Sequence, residues 1–128
     1  MTDTELADFY RDYLACLNAQ DWPGLARFVA HDVVHNGRAF GLSGYRAMLV
    51  KDFEDIPDLR FAIEMMTCDL PNIAARLGFD CTPKGEFQGL AVNGKRVTFS
   101  ESVFYELRDG KIAQVWSVID KAAIEAQL

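Results

Sequence analysis

The chain has 128 residues, with 13 Lys and Arg against 19 Asp and Glu, for a net charge of −6. It has no cluster of basic residues that could follow a phosphate backbone, which argues against nucleic acid as a partner. The length fits one domain over residues 1–128, and the 50% hydrophobic content is enough for an ordinary core. No apolar run reaches the length of a membrane span, and the acidic start Met1-Thr2-Asp3-Thr4-Glu5 is unlike a secretion signal.

In chain order, Leu6, Phe9, Tyr10, Tyr13, Leu14 and Leu17 recur at helical spacing behind Asp3 or Thr4 as a cap, and Asn18 to Asp21 closes that helix. Asp21 then caps a short helix that carries Pro23 near its start and buries Leu25, Phe28 and Val29. A short strand, Val33 to Asn36, precedes a third helix with Tyr45, Met48, Leu49 and Phe53 inward, stopped by Pro57. From Leu59 the period becomes two. Leu59, Phe61, Ile63 and Met65 share one face of a strand, with Met66 as an exception on the other. Ile73, Ala75, Leu77, Phe79 and Cys81 share a face of the next, and Val97, Phe99, Val103, Tyr105 and Leu107 a face of the third. Asp109-Gly110 is a hairpin signal, and the final strand, Ile112 to Asp120, leads into a helical stub. Helices first and an antiparallel meander after them indicate an α+β fold, in which a curved sheet wraps the N-terminal helices into a cone with an apolar interior.

Three polar residues interrupt the apolar faces. Glu101 lies on the face of Val97, Phe99, Val103 and Tyr105; it enters a cavity, is buried with a partner, or is turned outward by a bulge. Asp120 shares a two-residue period with Ile112, Gln114, Trp116 and Val118. Either it stands at the rim of a cavity walled by Trp116, with a raised pKa suited to proton transfer, or it caps the helix from Lys121. His35, at a strand end, is either a hydrogen-bonded structural residue or a pocket group that orients or protonates a carbonyl. Phe61, Met65, Phe79 and Trp116 are candidate pocket walls. Tyr13 and Tyr45 project over the sheet, as core aromatics or pocket groups. His31 and His35 are the only histidines and no Cys lies near them, so no metal is expected. Cys16, Cys68 and Cys81 read as reduced thiols of a cytoplasmic protein. Met66 and Cys68 on the nominally polar side of their strand suggest a homodimer.

Nearly the whole chain, in order, carries a family pattern: Val33-Val34-His35-Asn36, Ile56-Pro57-Asp58-Leu59, Ile73-Ala74-Ala75-Arg76, Gly85-Glu86-Phe87, Asn93-Gly94-Lys95-Arg96-Val97, and Asp109-Gly110-Lys111-Ile112 with Trp116 and Asp120. It resembles the SnoaL-like polyketide (ester) cyclases. The resemblance implies the nuclear transport factor 2-like (cystatin-like) cone. It also implies cofactor-free intramolecular aldol chemistry on a small hydrophobic, enolisable carbonyl compound, with a carboxylate matched by Asp120 moving the proton and no cofactor required. Two departures stand out. Cys81-Thr82-Pro83 replaces the family's Gly-Thr-His, so a pocket histidine is missing, and Gln114 replaces the Glu of Glu-x-Trp. Glu101, where the family carries a small residue, is a candidate to compensate, with His35 assisting and Gln114 contacting the substrate. Two other readings share the fold: a binding protein without chemistry, and a ketosteroid isomerase-type enzyme. The second follows from the likeness of Tyr13 to Ala19 to the first helix of those enzymes, although their base would fall near Asn36-Gly37, where there is no acid.

Overall fold

The structure, a computed structural model, describes residues 1–128. Helix α1 spans Asp3–Asn18, and its apolar stripe buries Leu6, Tyr10, Tyr13, Leu14 and Leu17. The cap is Thr2, which precedes both candidates. Its hydroxyl accepts from the Glu5 N–H at 3.1 Å, and the Glu5 carboxylate accepts from the Thr2 N–H at 3.0 Å. The short helix that follows is a 3-10 turn, Pro23–Arg27, and the Asp21 carboxylate accepts from the Gly24 N–H at its start, at 3.1 Å. Strand β1 covers Val29–His35 and α2 covers Gly41–Asp55. Next come β2 (Ala62–Asp69), β3 (Asn72–Cys81), the two-residue strands β4 (Glu86–Phe87) and β5 (Leu90–Ala91), β6 (Val97–Arg108), β7 (Lys111–Ile119) and α3 (Lys121–Glu125). The β4–β5 hairpin is an addition to the expected elements.

The five-stranded sheet runs β1-β7-β6-β3-β2. It is mixed rather than a pure antiparallel meander, because β1 pairs parallel to β7 at one edge. A parallel pair needs a long crossover, and α2 with strands β2 to β6 provides one. No helix is long and apolar enough to cross a membrane.

Two bulges decide which side chains face the core. The β3–β6 ladder is continuous from Asn72↔Glu106 to Cys81↔Val97, so the alternation read from sequence holds there. In the β6–β7 ladder the register slips between Glu106↔Gln114 and Leu107↔Ile112, leaving Ala113 as an extra residue. Ile112 and Ala113 are both buried, and beyond them Val115 is buried while Trp116 and Val118 are exposed. A one-residue slip moves every later side chain to the other face. Strand β2 slips likewise between Ile63↔Leu77 and Met65↔Arg76. Met66 and Cys68 therefore pack against the core, and Met65 is exposed. At the C-terminus, α3 buries Ile124, and the Gln127 amide accepts from the Thr98 N–H at 2.9 Å and donates to the Thr98 carbonyl at 2.6 Å, fastening the tail to β6.

Candidate functional site

A cavity of about 260 Å³ opens between the concave face of the sheet and the helices, with walls from α1, β1, α2, β3, β6 and β7. Most of its lining is apolar; Phe61, Phe79, Phe99, Val103 and Ile119 are among the walls. The interior polar groups carry the chemistry.

Glu101 projects into the cavity from the middle of β6, with Leu77 and Ile119 as its cross-strand neighbours. Burial pushes its carboxyl up to about 7, and repulsion from Asp52 adds to the rise. Asp52 reaches the same cavity from the last turn of α2. Burial raises its carboxyl to about 6, with further repulsion from Asp55 and a partial offset from Lys51. Neither carboxyl group receives a hydrogen bond from the protein. Two interacting acids of this kind titrate as a pair around neutral pH, one able to donate a proton while the other accepts.

His35 stands at the end of β1, stacked on Phe40 with ring centroids 5.8 Å apart and 8° between planes, and edge-on to Tyr45. Its Nε2 is 3.3 Å from the Ser117 hydroxyl. Burial lowers its pKa, with a further contribution from Arg38, so the imidazole is neutral at neutral pH. Asn36, in the left-handed region at φ 47°, fixes this corner. Its side-chain oxygen accepts from the Ser117 N–H at 2.8 Å and its amide donates to the Ser117 carbonyl at 3.2 Å. Tyr13 and Tyr45 both line the cavity, with their hydroxyls 2.7 Å apart, and Tyr105 pairs with Tyr10 at 2.9 Å. Each buried phenol thus has the partner it requires, and each pair keeps one hydroxyl proton to offer elsewhere. No group of three or more His, Cys, Asp and Glu is arranged to hold a metal ion.

Of the expected site residues, Glu101, His35, Phe61, Phe79, Tyr13 and Tyr45 come together around this cavity. Asp120, Trp116, Met65 and Gln114 do not. Asp120 is exposed, and its carboxylate accepts from the Ala123 N–H at 3.1 Å, so it caps α3. It borders a separate surface groove with Arg60, Glu64 and Arg76 rather than the cavity. The bulge at Ala113 turns Gln114 and Trp116 outward, and Trp116 lies beside Phe104 on the exposed face. The β2 bulge does the same to Met65. Ser117 and Asp52 are site residues that the sequence reading missed. Asp52 had a signal: it lies seven, four and three residues after Tyr45, Met48 and Leu49, within their inward stripe.

A family model for SnoaL-like polyketide cyclases matches residues 7–128. The chain belongs to the SnoaL-like polyketide cyclase family. A SnoaL-like polyketide cyclase from Agrobacterium tumefaciens is 57% identical and superposes with a TM-score of 0.96, over 99% of this chain and 98% of that one. Two Streptomyces proteins show the fold alone. AclR of S. galilaeus, a proposed hydroxylase, gives 21% identity and a TM-score of 0.80 over 98% and 96% of the two chains. IdmH of S. antibioticus, a proposed polyketide cyclase, gives 20% and 0.81 over 94% and 96%. A comparison with curated proteins finds no match. Within this SnoaL-like chain, Pro83, where the family pattern has histidine, is buried and does not line the cavity.

Proposed function

We propose that this SnoaL-like protein is a cofactor-independent acid/base enzyme acting on a small hydrophobic carbonyl compound, with Glu101 moving the proton at the carbon next to the carbonyl. The observation that carries the reading is Glu101 itself: a carboxyl group in a largely apolar hollow, without a protein partner, and raised to about 7. The hydrogen-bonded pair of neutral His35 and Ser117 keeps one proton to donate to the carbonyl oxygen, and the spare phenol proton of the Tyr13–Tyr45 pair is a further donor. The walls supply positioning and exclude water. An intramolecular aldol closure, as the family name suggests, begins with the same proton removal.

The test is deuterium uptake at the central carbon of benzoylacetone in D₂O, followed by proton NMR. The protein should accelerate exchange, and Glu101→Gln should reduce the acceleration by about 100-fold or more, the usual scale of a positioned acid/base. Exchange unchanged by Glu101→Gln across such diketones refutes the assignment. Saturable binding without exchange would identify a binding protein on the same fold. An isomerase of the ketosteroid type is less well supported, because Asn36 is not an acid and both ends of its amide are engaged by Ser117.

The exposed sheet face also supports a homodimer, through residues other than Met66 and Cys68. Phe104 and Trp116 are cross-strand neighbours, with Met65 and Val118 one row away, and all four are exposed apolar side chains on one side of the sheet. A second copy of the chain, presenting the same flat row about a two-fold axis, is the occupant we propose. The three cysteines are free thiols, which supports a reducing, cytoplasmic setting.

A further inference from the structure

The charge of the cavity lining bears on what enters it. No Lys or Arg borders the hollow, whereas Asp52 and Glu101 both do. Both acids are half-buried and neither has a hydrogen-bond partner in the protein, so their oxygens are free to accept from an occupant of the hollow. Around the two acids stand seven aromatic rings: three tyrosines and four phenylalanines. An aromatic box closed by carboxylates is the environment that a cation prefers, since ring faces and anions both attract positive charge. Asp52 adds a further bias. It sits in the last turn of α2, where the helix carbonyls present the negative end of the dipole.

We infer that the substrate is a compact ring compound carrying a protonated amine, held by Asp52, with Glu101 left free as the base. This rests on the proton-transfer reading above and adds the substrate class. Every group facing the acid pair agrees with it. From α2 come Asp52 with its neighbours Lys51 and Asp55, which pair with each other at 3.0 Å. From β1 comes His35, neutral at neutral pH; from α1, α2 and β6 come the un-ionised phenols of Tyr13, Tyr45 and Tyr105. None places a fixed positive charge in the hollow. An ammonium bound at Asp52 cancels the repulsion that helps hold Glu101 protonated. Glu101 then loses its proton and becomes the base on arrival of the substrate. The hollow of about 260 Å³ has room for one or two rings.

Three near-isosteres test this on the intact chain by calorimetry at pH 7.5 and pH 5: 2-phenylethylamine, 2-phenylethanol and 3-phenylpropionate. The amine should bind about tenfold more tightly than the alcohol at pH 7.5, and the propionate should not saturate. The preference should shrink at pH 5, below the titration of both acids at about 6 and 7. Any imidazolium formed by His35 there acts in the same direction. Asp52→Asn should cost the amine about tenfold and leave the alcohol unchanged, with thermal melts confirming that the variant folds. Propionate binding as tight as the amine's, an amine affinity indifferent to Asp52→Asn, or no binding by any of the three overturns the inference. Charge-blind binding together with Glu101-dependent exchange overturns it while leaving the proton-transfer reading intact. Amine-selective binding without exchange does the reverse.

Discussion

Glu101→Gln keeps the size and shape of the side chain and removes its ionisation, so it isolates the free energy of burying this charge. In the folded chain the carboxyl titrates at about 7, against 4.5 for an unperturbed Glu. At roughly 1.4 kcal/mol per unit, ionised Glu101 costs the folded state about 3 kcal/mol. The pH dependence has a definite sign. Below 4.5 both folded and unfolded chains hold the proton, and Gln and Glu are nearly equivalent. Between 4.5 and 7 the folded chain keeps a proton that the unfolded chain has lost, so native stability falls as pH rises; above 7 the loss is complete. The variant escapes that loss. Its advantage should be near zero at pH 4 and about 2–3 kcal/mol at pH 8.5, or about 8–12 °C in Tm at about 3–5 °C per kcal/mol for a chain of this size. Circular-dichroism melts of both proteins at pH 4, 6, 7 and 8.5 measure it. Parallel Tm curves, with an offset independent of pH, would show that burial does not raise the Glu101 carboxyl.

Three further outcomes follow from the same geometry. Asp52→Asn removes the repulsion that helps raise Glu101; the Glu101 carboxyl carbon should then titrate at lower pH by NMR, and the acidic limb of the exchange rate should move down with it. Asp120→Ala removes the cap of α3 and should cost about 1 kcal/mol of stability. It should leave diketone exchange unchanged, and a tenfold loss of exchange would place Asp120 in the chemistry. Phe104→Glu combined with Trp116→Glu sets charges on the exposed face and should convert dimer to monomer in light scattering while the far-ultraviolet spectrum stays native.

The helices and the central ladder could be read directly from periodicity because nothing interrupts them. The sequence leaves Glu101 open between a cavity, a buried partner and an outward bulge, and it points into the hollow because β3 and β6 pair without a slip over their whole length. Trp116, Gln114 and Met65 were placed wrongly because Ala113 and the step near Glu64 each shift a strand by one residue. Local composition gave little warning, since Val115, Ser117 and Ile119 on one face of β7 and Gln114, Trp116 and Val118 on the other are similarly mixed. The pairing of β1 with β7 joins residues about 80 positions apart, and no local pattern encodes it. Asp52 was legible but easily passed over, because an acid in a helix is ordinarily assigned to the solvent side.

Hydrogen-bond accounting separates the three acids more sharply than their sequence contexts do. Asp120 matches the family pattern, yet its carboxylate is already engaged by the Ala123 N–H and open to water; it has a structural task. Glu101 and Asp52 are the reverse, set in the cavity wall, raised by burial and without a hydrogen-bond partner in the protein. A proton-transfer group must be free to bond its substrate and must titrate near the working pH. Within this chain only those two acids meet both conditions in one cavity. The family's carboxylate chemistry, if it runs here, therefore runs from the middle of β6 and the end of α2 rather than from the end of the last strand, and the paired Asp120→Ala and Glu101→Gln exchange rates decide between the two locations.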